Sequence, residues 1–155
     1  MKIAVLTHNT NALSQRRFRE AANKYGHEIS FIHISYCYMN ISSTAPTVYY
    51  RNNETFENLD AIIPRINPAH SFYGTAVLRQ FELMGIYTLN SSLSITWTRD
   101  KLRTLQLLAR KNLPLPITGF ADSPEETEKL IDTVGGAPLI IRLLEGTAGR
   151  GTIFA

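Results

Sequence analysis

A glycine-rich run, Glu145-Gly146-Thr147-Ala148-Gly149-Arg150-Gly151-Thr152, directly follows an apolar stretch. Gly146, Gly149 and Gly151 let the backbone reach positive φ and approach a ligand closely, so that successive amide N–H groups can converge on phosphate oxygens. Thr147 and Thr152 add hydroxyl donors. Phosphates also need fixed cations. Arg142 lies on the apolar stretch just before the loop, and Lys101 follows Arg99-Asp100 in another element. Strand alternation alone leaves Arg142 free to face either side, and Lys101 taken alone is an ordinary surface lysine. A plain β-hairpin turn fits the same composition equally well.

Two familiar nucleotide loops do not fit. Gly146 and Gly151 have the Walker spacing, but Thr152 and Ile153 stand where Lys and Ser/Thr are required. A dinucleotide fingerprint fails because the first strand leads into His8-Asn9-Thr10-Asn11, without glycine, which disfavours a dinucleotide-dependent oxidoreductase. The histidines His8, His27, His33 and His70 are separated by 19, 6 and 37 positions and accompanied by a single cysteine, so zinc lacks support and each reads as a loop or surface residue. Cys37, within Ile34-Ser35-Tyr36-Cys37-Tyr38, reads as packing. Tyr36, Tyr38, Tyr49 and Tyr50 have no interleaved basic stripe and fit sheet-edge packing better than stacking on nucleic acid.

Alternating strands and helices must position these groups. Lys2–Thr7 reads as a buried parallel strand, Leu13–Tyr25 as a helix with Phe18, Ala21, Ala22 and Tyr25 inward, and Glu28–His33 as the next strand. A right-handed crossover joins them as a βαβ unit. Ser35–Glu57 predicts a small hairpin excursion. Asp60–Pro64 supplies another strand, and Phe72–Met84 a helix with Tyr73, Val77, Phe81 and Met84 on one stripe; Ile86–Leu89 is again extended. Asn90-Ser91-Ser92 caps a helix over Leu93–Thr98, and Lys101–Lys111 carries Leu102, Leu105, Leu108 and Ala109 on one face. Ile117–Ala121 reads as extended. Ser123-Pro124-Glu125-Glu126 predicts a capping box opening a helix with Thr127, Leu130, Ile131 and Val134 inward, ended by Gly135-Gly136 and followed by the strand Pro138–Leu144. A seam between domains is expected near Ser92–Trp97.

The chain has 155 residues, 44% hydrophobic and 19% charged, which suits a folded protein able to bury a core without disulfides. Its 16 basic and 13 acidic residues leave a net charge of only +3, with the basic residues scattered; direct nucleic-acid binding is not expected. No run is long and apolar enough for a membrane helix, nor is there a signal-peptide core at Met1–Leu6, so a cytoplasmic location is expected.

Taken together, these segments resemble a known family: Met1–Leu6, Cys37-Tyr38-Met39-Asn40, Ala61-Ile62-Ile63-Pro64-Arg65-Ile66, Phe72-Tyr73-Gly74-Thr75-Ala76, Leu78-Arg79-Gln80-Phe81-Glu82, Arg99-Asp100-Lys101-Leu102-Arg103, Gln106-Leu107-Leu108-Ala109-Arg110, Val134-Gly135-Gly136-Ala137-Pro138 and Glu145-Gly146-Thr147. The family is that of the bacterial ribosomal small-subunit-protein-six glutamate ligases, within the ATP-grasp superfamily. The resemblance implies an α/β chain with a Rossmann-like parallel-sheet pre-ATP-grasp domain over 1–95, then the beginning of an ATP-grasp domain over 96–155. It implies ATP and Mg2+ as cofactors, and a reaction in which a carboxylate is phosphorylated and the acyl phosphate captured by an amine. In the family this adds glutamate to a ribosomal protein's C-terminal tail.

By the same resemblance Lys101, Arg142, Glu145, Gly146, Thr147, Gly149 and Gly151 belong to the ATP phosphate site. Arg142 stands where the family has a lysine, replacing a compact ammonium by a planar fork. Metal ligands and catalytic residues are expected in later strands of the family's longer enzymes, so the chain is expected to be incomplete for catalysis by itself. Homo-oligomers are expected. The rival expectation is a non-catalytic oligomerisation or partner-binding module derived from such a ligase.

Overall fold

The computed structural model describes residues 1–56, 58–144 and 151–155. The chain divides into two compact units, Met1–Thr96 and Trp97–Ala155.

In the first unit, β1 (Lys2–Thr7), α1 (Leu13–Lys24) and β2 (Glu28–His33) form the expected βαβ start, β1 and β2 pairing in parallel from Lys2 opposite Glu28 to Thr7 opposite His33. Ala4, Val5 and Leu6 are fully buried, which is why this strand is a continuous apolar run rather than an alternating one. The excursion forms an antiparallel sheet of β3 (Cys37–Asn40), β4 (Thr47–Tyr50) and β5 (Glu54–Thr55). The chain then returns as β6 (Ala61–Arg65), α2 (Ser71–Leu83) and β7 (Tyr87–Thr88), completing a parallel sheet of order β2-β1-β6-β7. The order reverses between β1 and β6, and α/β sheets open a ligand crevice outside the carboxyl ends of their strands at such a point.

Phe81, Leu78 and Val77 of α2 meet Leu6, Ile32, Ile34, Val48 and Ile62 in one core. The approach is close at Gly74, where an added Cβ would lie 2.5 Å from Ile66 Cγ2. Gln80 Nε2 donates to Asn40 O at 2.8 Å and Tyr73 Oη donates to Cys37 O at 2.5 Å, tying α2 to the small antiparallel sheet. The inward face of α1 differs from the periodicity reading. Gln15 and Ala22 are buried and Phe18 half-buried, while Ala21 and Tyr25 face solvent. Gln15 is drawn inward by the loop, its Nε2 donating to Thr7 Oγ1 and Asn9 O.

After α3 (Ser92–Arg99), the second unit continues with α4 (Lys101–Arg110), α5 (Thr127–Val134), β8 (Ile140–Arg142) and β9 (Thr152–Phe154). Asp100 caps α4, its Oδ1 accepting from Arg103 N at 2.9 Å. Ser123 accepts from Glu125 N at 3.2 Å, one residue earlier than a capping box requires, and Glu126 instead pairs with Lys129 on the surface. A 3₁₀ turn over Pro124–Glu126 therefore precedes α5. Leu130, Ile131 and Val134 are half-buried, whereas Thr127 is exposed, its hydroxyl spent on Pro124 O. Residues 117–121 form no strand; Gly119 lets that segment pass so close to α5 that a Cβ there would lie 2.5 Å from Leu130 Cδ1. Gly135 ends α5 with φ +98°, the left-handed cap its position predicts.

Candidate functional site

β8 and β9 pair antiparallel, Ile140 opposite Phe154 and Arg142 opposite Thr152, so the glycine-rich run is the connection of a hairpin. Leu143 N donates to Gly151 O at 2.9 Å and closes its base. Gly151 has φ +80°, a conformation in which a side chain would be strained, and a Cβ on it would lie 2.8 Å from Leu143 Cδ1 and push that exposed side chain aside. The predicted phosphate-loop residues Glu145, Gly146, Thr147 and Gly149 lie outside the described residues.

Lys101, on the first turn of α4, reaches this hairpin. Its Nζ donates to Leu143 O at 2.7 Å, with the Asp100 cap fixing the start of the helix that carries it. An ammonium has three donors, so this bond leaves two for another acceptor. Arg142 is exposed at the last paired position of β8, on the same face as Ile140 by strand alternation. The structure thus brings Lys101 to one end of the glycine connection, with Arg142 and Gly151 at its two edges. Among the described residues, no group of three His, Cys, Asp or Glu side chains is placed to hold a metal ion.

The first unit carries a second constellation that spacing did not reveal. His8 follows β1, His33 ends β2, and His70 closes a short turn after β6. The His8 and His70 rings stack at 4.0 Å between centroids, and His33 meets His8 edge-on at 5.8 Å. His8 lies in the loop after β1, as expected, but is half-buried; His33 is half-buried within β2 and so is not the loop or surface residue expected; His70 is exposed. The three come together because parallel strands deliver their carboxyl ends to one edge, whatever the intervening chain length. A crevice of about 410 Å³ beside them is lined by His8, Ser35, Ala69, His70, Phe72 and Tyr73. Burial first, then the neighbouring His70 and His33, hold the His8 pKa below its ordinary value.

Cys37 is buried and its Sγ lies 3.8 Å from His33 O; burial pushes its thiol up to about 12, so it is a packing group and no nucleophile. Tyr38 stacks on Tyr49, and Arg51 sits over the Tyr36 and Tyr50 rings.

A Rossmann-like parallel sheet followed along the chain by helices and a β-hairpin fits an ATP-grasp-type α/β protein. Residues 1–95 match the RimK PreATP-grasp domain and residues 98–155 the RimK-like ATP-grasp domain, and the chain belongs to this RimK family. It is 56% identical over all 155 residues to a probable alpha-L-glutamate ligase of Hydrogenovibrio crunogenus, covering 51% of that protein. A probable alpha-L-glutamate ligase of Legionella pneumophila is 53% identical over the same residues, again with 51% of its length covered. The chain therefore spans about half the length of the curated relatives it matches. Among solved structures, a RimK domain protein ATP-grasp from Sphaerobacter thermophilus superposes with TM-score 0.69 at 17% identity, over 99% of this chain and 53% of that one. The ATP-grasp ligase PsnB, complexed with minimal precursor, Mg and ADP, superposes with TM-score 0.70 at 18% identity, over 98% of this chain and 57% of its own.

Proposed function

We propose that the chain serves an ATP-dependent carboxylate–amine ligase that adds glutamate to a protein or peptide tail, with a ribosomal protein's C-terminus as acceptor. The observation that carries this reading is the Lys101 ammonium held 2.7 Å from Leu143 O, at the base of the glycine hairpin. ATP supplies the phosphoryl group that converts a carboxylate into an acyl phosphate; an amine then displaces phosphate. This chain's part is electrostatic positioning. Lys101 and Arg142 offset the charge of the phosphate oxygens, and the amides and hydroxyl of Glu145, Gly146, Thr147, Gly149 and Gly151 donate to them. Mg2+ would supply further neutralisation of the phosphate charge; among the described residues, no group of three His, Cys, Asp or Glu side chains is placed to hold it.

The kinship with named alpha-L-glutamate ligases supports the reaction class. A cytoplasmic location and self-association accompany the reading. The test is amide NMR of the chain titrated with millimolar ATP. Shifts centred on Lys101, Arg142 and Gly151 that disappear in Lys101→Met are the expected result. Unchanged amides in that region at saturating nucleotide, or shifts confined to residues 1–96, would overturn it.

A further inference from the structure

We infer that the open edge of β2 pairs antiparallel with the same strand of a second copy of this chain, the two-fold axis passing between the two Ser30 residues. β2 ends the parallel sheet, with β1 on one side and no strand on the other. Glu28 N donates to Met1 O at 3.0 Å, which sets the alternation of the ladder: Glu28, Ser30 and Ile32 spend their backbone groups on β1, and Ile29 and Phe31 turn theirs outward. Among the described residues nothing bonds to those outward groups.

Natural sheets defend such an edge with a very short strand, a proline, a lysine, a bulge or a covering group. Two other edges of this unit are defended. β7 consists of Tyr87–Thr88 alone, and on β3 the Tyr73 hydroxyl occupies Cys37 O. β2 has none of these devices: Glu28–His33 runs six residues in unbroken register with β1, holds neither proline nor lysine, and carries its one carboxylate at the first position. A strand of this kind is a template for another strand.

The sequence of β2 selects its own copy as the partner. Pairing centred on Ser30 sets Ile29 opposite Phe31 of the second copy and Phe31 opposite its Ile29, and each of these pairs exchanges both N–H···O=C bonds. Ile29 and Phe31 are half-buried and share a face, so two aromatic–β-branched contacts form together across the axis, while the small, exposed Ser30 side chains meet on it. Glu28 falls opposite Ile32, which keeps the two carboxylates at opposite ends of the seam. The Arg19 guanidinium of α1 sits 5.0 Å from the Phe31 ring centre. Centring on Ser30 leaves the two Phe31 rings and their arginines on a diagonal, whereas centring on Phe31 would bring the like charges face to face. The contact is isologous and closes at two copies.

The inference gives a surface to the self-association in the functional reading, but it rests on the ladder alone and its test contains no nucleotide. Ser30→Cys in the whole chain places two sulfurs across a non-hydrogen-bonded pair, where Cα atoms lie about 4.5 Å apart and a disulfide fits. Under mild oxidation this variant should form a covalent dimer much faster than Ala21→Cys, which is exposed on α1; the native Cys37 is buried. In the parent chain, amide exchange at Ile29 and Phe31 should speed up on dilution from about 100 µM to about 1 µM, by at most about tenfold, the square root of the dilution, while Ser30 and Ile32, bonded to β1, keep their rates. Four results would each overturn the proposal. They are sedimentation as monomer alone at about 100 µM, Ser30→Cys dimerising no faster than Ala21→Cys, a dimer in which Ile29 and Phe31 exchange alike at both concentrations, and protection of these amides in a monomer, which would assign the edge to another segment of the chain.

Discussion

The two units are built on different physical terms. Every fully buried large side chain among the described residues lies in the first: Phe81, Leu6, Ile32, Ile34, Ile62, Leu78, Val5, Val48 and Val77. Among the described residues of 97–155 none is buried, and Ile140, Ile153 and Phe154 on the hairpin are 62%, 61% and 76% exposed. The first unit is held by apolar burial, while the second is organised by end-caps, close glycine contacts and the reach of Lys101 to a carbonyl. A rigid sheet edge and a locally tethered hairpin suit different tasks: the former can hold a crevice of fixed shape, and the latter can adapt to a ligand.

The widest gap should appear in large-to-small substitution. Phe81→Ala should cost about 3–5 kcal/mol in denaturant unfolding, against less than about 0.5 kcal/mol for Ile153→Ala at its exposed site. Equal losses would break the comparison. Next, Gly74→Ala forces a Cβ onto Ile66 and should cost about 1–3 kcal/mol, with Ile66→Ala in the same chain recovering part of it.

The pH behaviour of Cys37 sharpens the contrast. Its folded pKa lies above its unfolded one, so the stabilisation is complete below the unfolded value and is lost as pH rises toward about 12. Stability should fall by about 1.4 kcal/mol per pH unit across that window, and Cys37→Ala should remove this component of the slope. The smallest effect is Asp100→Ala, about 1 kcal/mol of local helix stability, read as faster amide exchange in α4 without change in α2.

Legibility in the sequence follows the same division. The parallel strands and α2 were readable because burial writes itself as apolar runs and helical stripes, as at Ala4-Val5-Leu6 or Val77 and Phe81. Ile117–Ala121 was not, because its composition allows a strand while its conformation is set by Gly119 passing against Leu130. Glycine content suggested the hairpin at Gly151, but whether Arg142 turns toward a ligand is not a matter of composition. The histidine cluster was invisible to spacing since topology, not separation, unites His8, His33 and His70. Gln15 was hidden for a related reason: a polar side chain had been recruited by a loop on its inner side.

The Glu82 carboxylate takes three protons' worth of bonding, from Ser92 N at 2.7 Å, Ser92 Oγ at 2.5 Å and Thr88 Oγ1 at 2.9 Å. Ile95, just beyond, packs against the core. Anyone dividing the gene to express the sheet half separately should therefore carry the reading frame through Thr96. A stop codon before Ser92 would strip that acid of two donors and uncover the apolar surface beneath Ile95, and the shortened product should precipitate where the longer one stays dissolved.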